Sequence, residues 1–302
     1  MSNVEVSNPD KVLFPDDGIT KAEVVEHYRS VAPAMLEFAA GRPLTLQRFP
    51  RGIGASGFMQ KNAADHFPAS IERHVVPKRG GGETTYPVVT DPDDIPWLAN
   101  QNTITFHMWL SSAADPGHPS WLVIDLDPPE DNAAEVRTAT VAVRDILDRF
   151  GLDGFPVATG SKGYHVWVPV SADTTMGDAG LAARAVAGLA AAEHPDQMTV
   201  EFLKRERGGR VFVDWLRNGP TATTVAPYSL RPRPGAPVAM PMRWSELEDS
   251  TPDRWRLGSI DDRLDATLEV APQPLPTEAI VDAARAAGVD LDTPHDRFGR
   301  RR

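Results

Sequence analysis

Two aspartates one residue apart end the segment Trp121-Leu-Val-Ile-Asp-Leu-Asp127, and a third closes the run Val211-Phe-Val-Asp214. In an extended chain side chains alternate with a period of two. Trp121, Val123, Asp125 and Asp127 therefore share one face, with Leu122, Ile124 and Leu126 on the other. Carboxylates pointing the same way from a strand end repel one another by on the order of a few kcal/mol at an intermediate dielectric, so the pattern implies a bound cation or a raised pKa. A divalent metal resolves the repulsion. Asp214 ends an apolar run, where an unpaired charge is costly, and is the natural third ligand. Three carboxylates around two metals roughly 4 Å apart suit in-line phosphoryl transfer, one metal activating the attacking hydroxyl and the other steadying the leaving pyrophosphate. A D-x-D pair seen alone is more often structural or a cap.

Between these acids lies Thr159-Gly-Ser-Lys-Gly-Tyr-His165. Gly160 and Gly163 let the backbone approach a ligand closely, successive N–H groups can form an anion nest, and Lys162 adds a point charge. That combination suits a triphosphate. The spacing is not that of a Walker A loop, and a glycine-rich turn before a strand is more often only a turn. His165 alternates onto the face of Trp167, and His107 ends a strand-like run. A strand histidine is usually a satisfied core residue.

The elements that must position these groups are legible in outline. Thr20 and Glu23 form a capping box, followed by Val24, Tyr28, Val31, Met35 and Phe38 at helical spacing until Gly41; Pro33 is expected to kink that helix. Strands are expected at 44–49, 84–89 and 103–109, separated by Gly-, Pro- and Asp-rich loops. Pro128 and Pro129 must end the strand that carries the acid pair. A helix follows, with Val136, Ala139, Val143, Ile146, Leu147 and Phe150 on one face and Gly151 at its end. Strands at 155–158 and 164–170, an Ala-rich helix at 179–193 and a strand at 210–215 complete the pattern. The expected class is α+β, with a central antiparallel or mixed sheet, flanking helices and an additional N-terminal sheet region. We expect one domain over 1–290, divided into an N-terminal region to 110, a catalytic core to 250 and a helical segment to 290, and a mobile tail over 291–302.

The 302 residues contain no cysteine, so disulfides and thiolate sites are excluded, and a metal must be held by oxygen or imidazole: magnesium, manganese or zinc. The net charge of −11 argues against a nucleic-acid partner only on average. Residues 42–79 and 200–243 each carry a net +5, leaving −21 for the remainder, and both basic windows flank the acids in sequence. Such windows can also be plain solvated faces. With no apolar run near the roughly 18 residues of a membrane span and no signal-like N-terminus, the expected location is the cytoplasm, on the nucleoid when bound to DNA.

The motifs DKVLFP, ITKAE, VIDLDPP, TGSKGYHVWVP, VFVDW and TTVAPYSLRPR, in this order over about Asn8 to Leu247, resemble the polymerase domain of bacterial end-joining DNA ligase D, in the archaeo-eukaryotic primase superfamily. The resemblance implies a primase-polymerase that adds nucleotides, often ribonucleotides, at DNA gaps and breaks. Manganese is the implied metal, with magnesium as the alternative. By resemblance Asp125, Asp127 and Asp214 are the metal-binding acids; Thr159, Ser161, Lys162, His165, Arg217, Arg231 and His107 serve the incoming nucleoside triphosphate. Lys11 and Lys21, with Asn8 close by, hold the 5′-phosphate of the downstream strand, and Arg48, Phe58, Lys61 and Arg207 contact DNA.

The chain departs from the family pattern at four positions. Thr159 stands for serine, Gln47 for a basic residue, Arg217 for glutamine, and Met59 for the second of two stacking phenylalanines. One aromatic platform, Phe58, can still stack on a base. The length leaves no room for ligase and nuclease domains, so the chain resembles a stand-alone form that would meet Ku and a separate ATP-dependent ligase in trans. Two other readings stay open: a metal-dependent phosphoesterase or nuclease using the same acids, and a non-catalytic module that holds DNA ends.

Overall fold

The computed structural model describes residues 4–78, 80–130, 132–264 and 270–293; most of the tail expected to be mobile lies outside them. The fold is α+β, as the sequence implies. The chain forms two compact units that interleave along the sequence: one from Met1–Ala114, Thr223–Met240 and Asp253–Ala266, the other from Asp115–Ala222, Pro241–Pro252 and Thr267–Arg302.

The first unit holds the helix Lys21–Ala39, opened by the expected capping box: Thr20 Oγ1 accepts from Glu23 N–H and the Glu23 carboxylate accepts from Thr20 N–H. The helix runs through Pro33 to Ala39, and Gly41 follows with φ of +69°. Its buried stripe of Val24, Tyr28, Val31 and Met35 is the predicted one. A sheet in the order Thr224–Val225, Thr103–Met108, Leu44–Arg48, Phe58–Gln60 carries His107 on its second strand. Tyr28 lies 4.8 Å from Phe106, ring to ring; its hydroxyl donates to Ile104 O and accepts from Leu230 N–H at 2.9 Å. Glu72–Pro77 and Glu83–Val88 form a separate antiparallel hairpin.

The second unit is built on a sheet in the order Met198–Thr199, Val211–Asp214, Trp121–Asp127, Tyr164–Pro169, Phe155–Ala158, with the two-residue strand Met240–Pro241 last, where the chain passes from one unit to the other. The acid-bearing strands are neighbours and antiparallel. Helices Ala133–Arg149 and Met176–Glu193 pack on this sheet and on each other, and Thr277–Ala286 packs on Met176–Glu193. Both sheet-covering helices start on a side-chain cap, Asn132 accepting from Glu135 N–H and Thr175 from Asp178 N–H. No helix among the described residues is long and apolar enough to cross a membrane.

Candidate active site

Register brings the acids together. Asp125 pairs directly with Asp214 on one side and with His165 on the other, and Asp127 pairs with Phe212. Residues directly opposite in an antiparallel ladder share a face, so Asp214, Asp125 and His165 form a row with Asp127 one step along the strand. Asp125 and Asp214 are each 5% exposed and His165 4%, burial that ionised groups tolerate only with partners.

The partners are specific. His165 Nε2 lies 3.3 Å from Asp125 Oδ1, while Trp167 Nε1 donates to His165 Nδ1 at 3.4 Å. That second bond selects the tautomer with hydrogen on Nε2, so the imidazole donates to Asp125. Arg217 Nε donates to Asp125 Oδ2 at 2.9 Å, and its Nη2 lies 3.3 Å from Asp214 Oδ2. Both oxygens of Asp125 are thus engaged.

The turn after the strand aims Arg217. Asp214 Oδ1 accepts from Leu216 N–H at 2.8 Å, an Asx turn that starts the short 3-10 segment Leu216–Asn218 and returns Arg217 over the acids. Asn218 locks it: its amide accepts from Val123 N–H at 2.8 Å and donates to Val123 O at 2.6 Å and Trp215 O at 2.9 Å. Beyond Asp214 the neighbouring strand has ended, and the Asn218 amide replaces the two ladder bonds that Val123 would otherwise lack.

These contacts separate the acids electrostatically. Burial works to raise Asp125, but His165 and Arg217 outweigh it and hold its carboxyl below the usual carboxylate range. The Asp125 charge, then burial, push Asp127 up to about 7. Burial raises Asp214 as well, with Arg217 opposing. Arg217 is itself held above its ordinary value, because Asp125 and Asp214 outweigh its own burial. Arg207, its guanidinium 4.0 Å above the Phe212 ring and bonded to Glu201 O and Phe202 O, adds positive charge toward Asp127.

Three carboxylates are hard oxygen donors, and their chemistry fits a hard divalent cation. In the arrangement described, however, no three His, Asp or Glu side chains among the described residues are disposed to hold one ion. The charge of Asp125 and Asp214 is met by Arg217.

The glycine-rich segment is a tight turn beside this row. Thr159 Oγ1 donates to Gly163 O at 2.7 Å, and the Thr159 and Gly160 N–H groups are committed to Gly163 O and Pro252 O. Those two amides therefore do not join the nest the sequence suggests. Gly163 is required by space, since a Cβ there would stand 1.9 Å from Leu126 O. Ser161 is half-buried and Lys162 exposed at the tip.

In the first unit, His107 pairs with Thr45 and Val225. Arg231 follows Leu230, whose carbonyl accepts from Thr105 Oγ1 at 2.7 Å, and the Arg231 N–H donates to Pro237 O at 2.7 Å. A basic cluster surrounds the start of the long helix. Lys21, only 2% exposed, donates from Nζ to Ser7 Oγ at 2.8 Å and from its backbone to Lys11 O; Lys11 Nζ bonds Pro50 O. Burial, then Lys11 and Arg48, lower the Lys21 pKa. Asn8 has φ of +50° and its carbonyl accepts from Lys11 N–H. Arg48 donates to Gln101 O and lies 5.6 Å from the centre of the Phe58 ring; Phe58 and Met59 are each 48% exposed, and Lys61 is exposed beside them. Gln47 pairs with Met59 across the same strands.

Sequence reasoning missed the residues that hold these groups. Ser7 and Asn100 are joined by bonds of 3.1 and 3.2 Å to Asn100 Oδ1 across 93 positions, a separation that leaves no local signal. Asn218 did have one: an asparagine four residues after a strand-ending aspartate is a typical turn residue.

The family model of the LigD primase-polymerase domain matches residues 20–270. The multifunctional non-homologous end joining protein LigD of Mycolicibacterium smegmatis is 36% identical over 266 residues, which are 87% of this chain and 35% of that protein. The LigD of Pseudomonas aeruginosa is 32% identical over 267 residues, 87% of this chain and 32% of that one. The chain thus spans about a third of the length of these relatives. The polymerase domain of Mycobacterium tuberculosis ligase D, solved in complex with DNA, superimposes with a TM-score of 0.76 at 32% identity, covering 97% of this chain and 98% of that one. With its acids in register on neighbouring strands and its match over most of its length, the chain belongs to the LigD primase-polymerase family.

Proposed function

We propose that this protein is a metal-dependent nucleotidyltransferase that extends primer ends at DNA gaps and double-strand breaks, using ribonucleotides as well as deoxyribonucleotides, in non-homologous end joining or gap repair. The observation that carries the reading is the row Asp214, Asp125 and His165, with Asp127 one step along the strand and a guanidinium meeting the buried charge. Asp125, Asp127 and Asp214 would hold manganese or magnesium, which when bound supplies charge neutralisation for the attacking 3′-hydroxyl and the departing pyrophosphate. The rest falls to the chain. His165 fixes the orientation of Asp125, and Arg217, Ser161, Lys162 and Thr159 are assigned to the triphosphate. His107 and Arg231, set by one sheet and its adjoining loop, are assigned to the nucleotide as well.

The same proposal assigns Lys11, Lys21 and Asn8 to a downstream 5′-phosphate, which would relieve the mutual repulsion of buried Lys21, Lys11 and Arg48. Phe58 offers an exposed ring for a template base, with Arg48, Lys61 and Arg207 contacting DNA. Residues 1–290 are read as one working domain. Ku and a separate ATP-dependent ligase are the proposed partners, acting in the cytoplasm at the nucleoid.

The test incubates the protein with manganese, nucleoside triphosphates and a labelled primer on gapped DNA, with or without the 5′-phosphate, beside Asp125→Ala plus Asp127→Ala. Extension by the native protein alone, stronger with the phosphate, is the expected result. Lys11→Ala plus Lys21→Ala should erase the phosphate preference while leaving open-primer extension largely intact. Tight binding of the gap without extension would make the end-holding module the better account.

A further inference from the structure

Arg217 approaches the acids from the solvent side. Its side chain is 38% exposed where those of Asp125 and Asp214 are 7%, and it reaches Oδ2 of both. The turn that carries it is fixed at both ends, by Asp214 Oδ1 on Leu216 N–H and by Asn218 on Val123, so the guanidinium is aimed at the carboxylates by the backbone. The exposed flank of the same side chain gives it room to leave. A planar guanidinium bridging two carboxylates and a hard divalent cation satisfy the same charges. They cannot hold the same two oxygens together.

We propose that Arg217 is a displaceable internal counter-cation: it neutralises Asp125 and Asp214 until a divalent ion takes their oxygens, and must then swing toward solvent. The inference rests on the reading of the three acids as the metal site. It has two consequences. Metal affinity is lowered by the fraction of molecules in which Arg217 is docked, as for any ligand whose competent state is only partly populated. A polyphosphate, by giving the displaced guanidinium another anion, favours metal binding, so that metal and nucleotide bind cooperatively.

The experiment measures Mn2+ binding without DNA, by loss of the free-ion paramagnetic resonance signal, for the native protein, Arg217→Gln, Arg217→Lys and Asp125→Ala plus Asp127→Ala. Glutamine keeps much of the length and removes the charge. Arg217→Gln is expected to bind Mn2+ about tenfold more tightly than the native protein, equivalent to about 1.4 kcal/mol. A non-hydrolysable nucleoside triphosphate should tighten the native protein more than the variant. Arg217→Lys, whose point charge cannot bridge two carboxylates, is expected to fall between. Mn2+ affinity in Arg217→Gln equal to or weaker than native overturns the inference. If that variant does not fold in chelator, native-like affinity in Arg217→Lys overturns it instead. Loss of the site in the double aspartate variant with no gain in the arginine variants sinks this inference alone; equal binding by the native and double aspartate proteins sinks the metal-site reading itself.

Discussion

Replacing Asn218 with alanine removes the amide that closes the sheet beyond Asp214. Three hydrogen bonds vanish, and the N–H and C=O of Val123, a residue with no exposed surface, lose their partners. Each orphaned buried backbone group costs about 1–3 kcal/mol, so the variant, with two of them, should lose roughly 2–6 kcal/mol. For units of this size, at roughly 2–4 °C per kcal/mol, the melting temperature should fall by about 4–24 °C. Asn218→Asp keeps an acceptor for Val123 N–H but sets carboxylate oxygens against Val123 O and Trp215 O, so its loss should be at least as large. Thermal and guanidinium denaturation, monitored by far-ultraviolet circular dichroism in chelator, measure this directly. Arg217 is the preceding residue, so primer extension by Asn218→Ala at a temperature where it is folded should also fall well below native. A melting temperature within about 2 °C of native in both variants would refute the argument that Asn218 stands in for a missing strand.

Asp127 sets a pH dependence. Its folded pKa, raised to about 7, means that the proton it binds contributes stability fully below the unfolded carboxylate range and that this contribution is lost as pH rises through about 7. In chelator the melting temperature of the native protein should therefore fall between about pH 5 and 8 relative to Asp127→Asn, and parallel profiles would count against it. Lys21→Met removes a buried charge at the positive end of a helix, repelled by Lys11 and Arg48; it should be as stable as native or about 0.5–1 kcal/mol more so, while losing discrimination for a 5′-phosphate in gap binding. Gly163→Ala puts a Cβ 1.9 Å from Leu126 O and should destabilise by roughly 3 kcal/mol or more, whereas Gly80→Ala, with nothing within 4 Å, should melt like the native protein.

What the sequence showed depended on how local the cause was. The capping box at Thr20, the apolar stripe of the first helix and the alternation in Trp121–Asp127 are local, and the elements stand where the pattern put them. The acids were legible because a carboxylate closing an apolar run is costly to bury and so marks a place where a partner must wait. The Glu72–Pro77 strand was not, because its residues are mostly exposed and offer no apolar alternation. The exposed Phe58–Gln60 strand was hidden for the same reason. The bridge from Arg217 to Asp125 spans 92 positions and needs the register of two strands before it can be drawn. The nest over Thr159 to Gly163 failed in part because its amides found backbone partners, one of them as distant as Pro252, which no motif encodes.

The interleaving of the two units sets the order in which the chain can finish folding. On the ribosome the first unit has its long helix and most of its sheet early, yet its edge strand Thr224–Val225 and the Leu230–Arg231 segment emerge only after all of Asp115–Ala222 has been made. Tyr28 therefore waits 202 residues for the Leu230 N–H that its hydroxyl accepts. A nascent chain arrested anywhere before that point carries an open sheet edge and an unfilled hydrogen bond at the heart of its first unit, which is where a chaperone would find it.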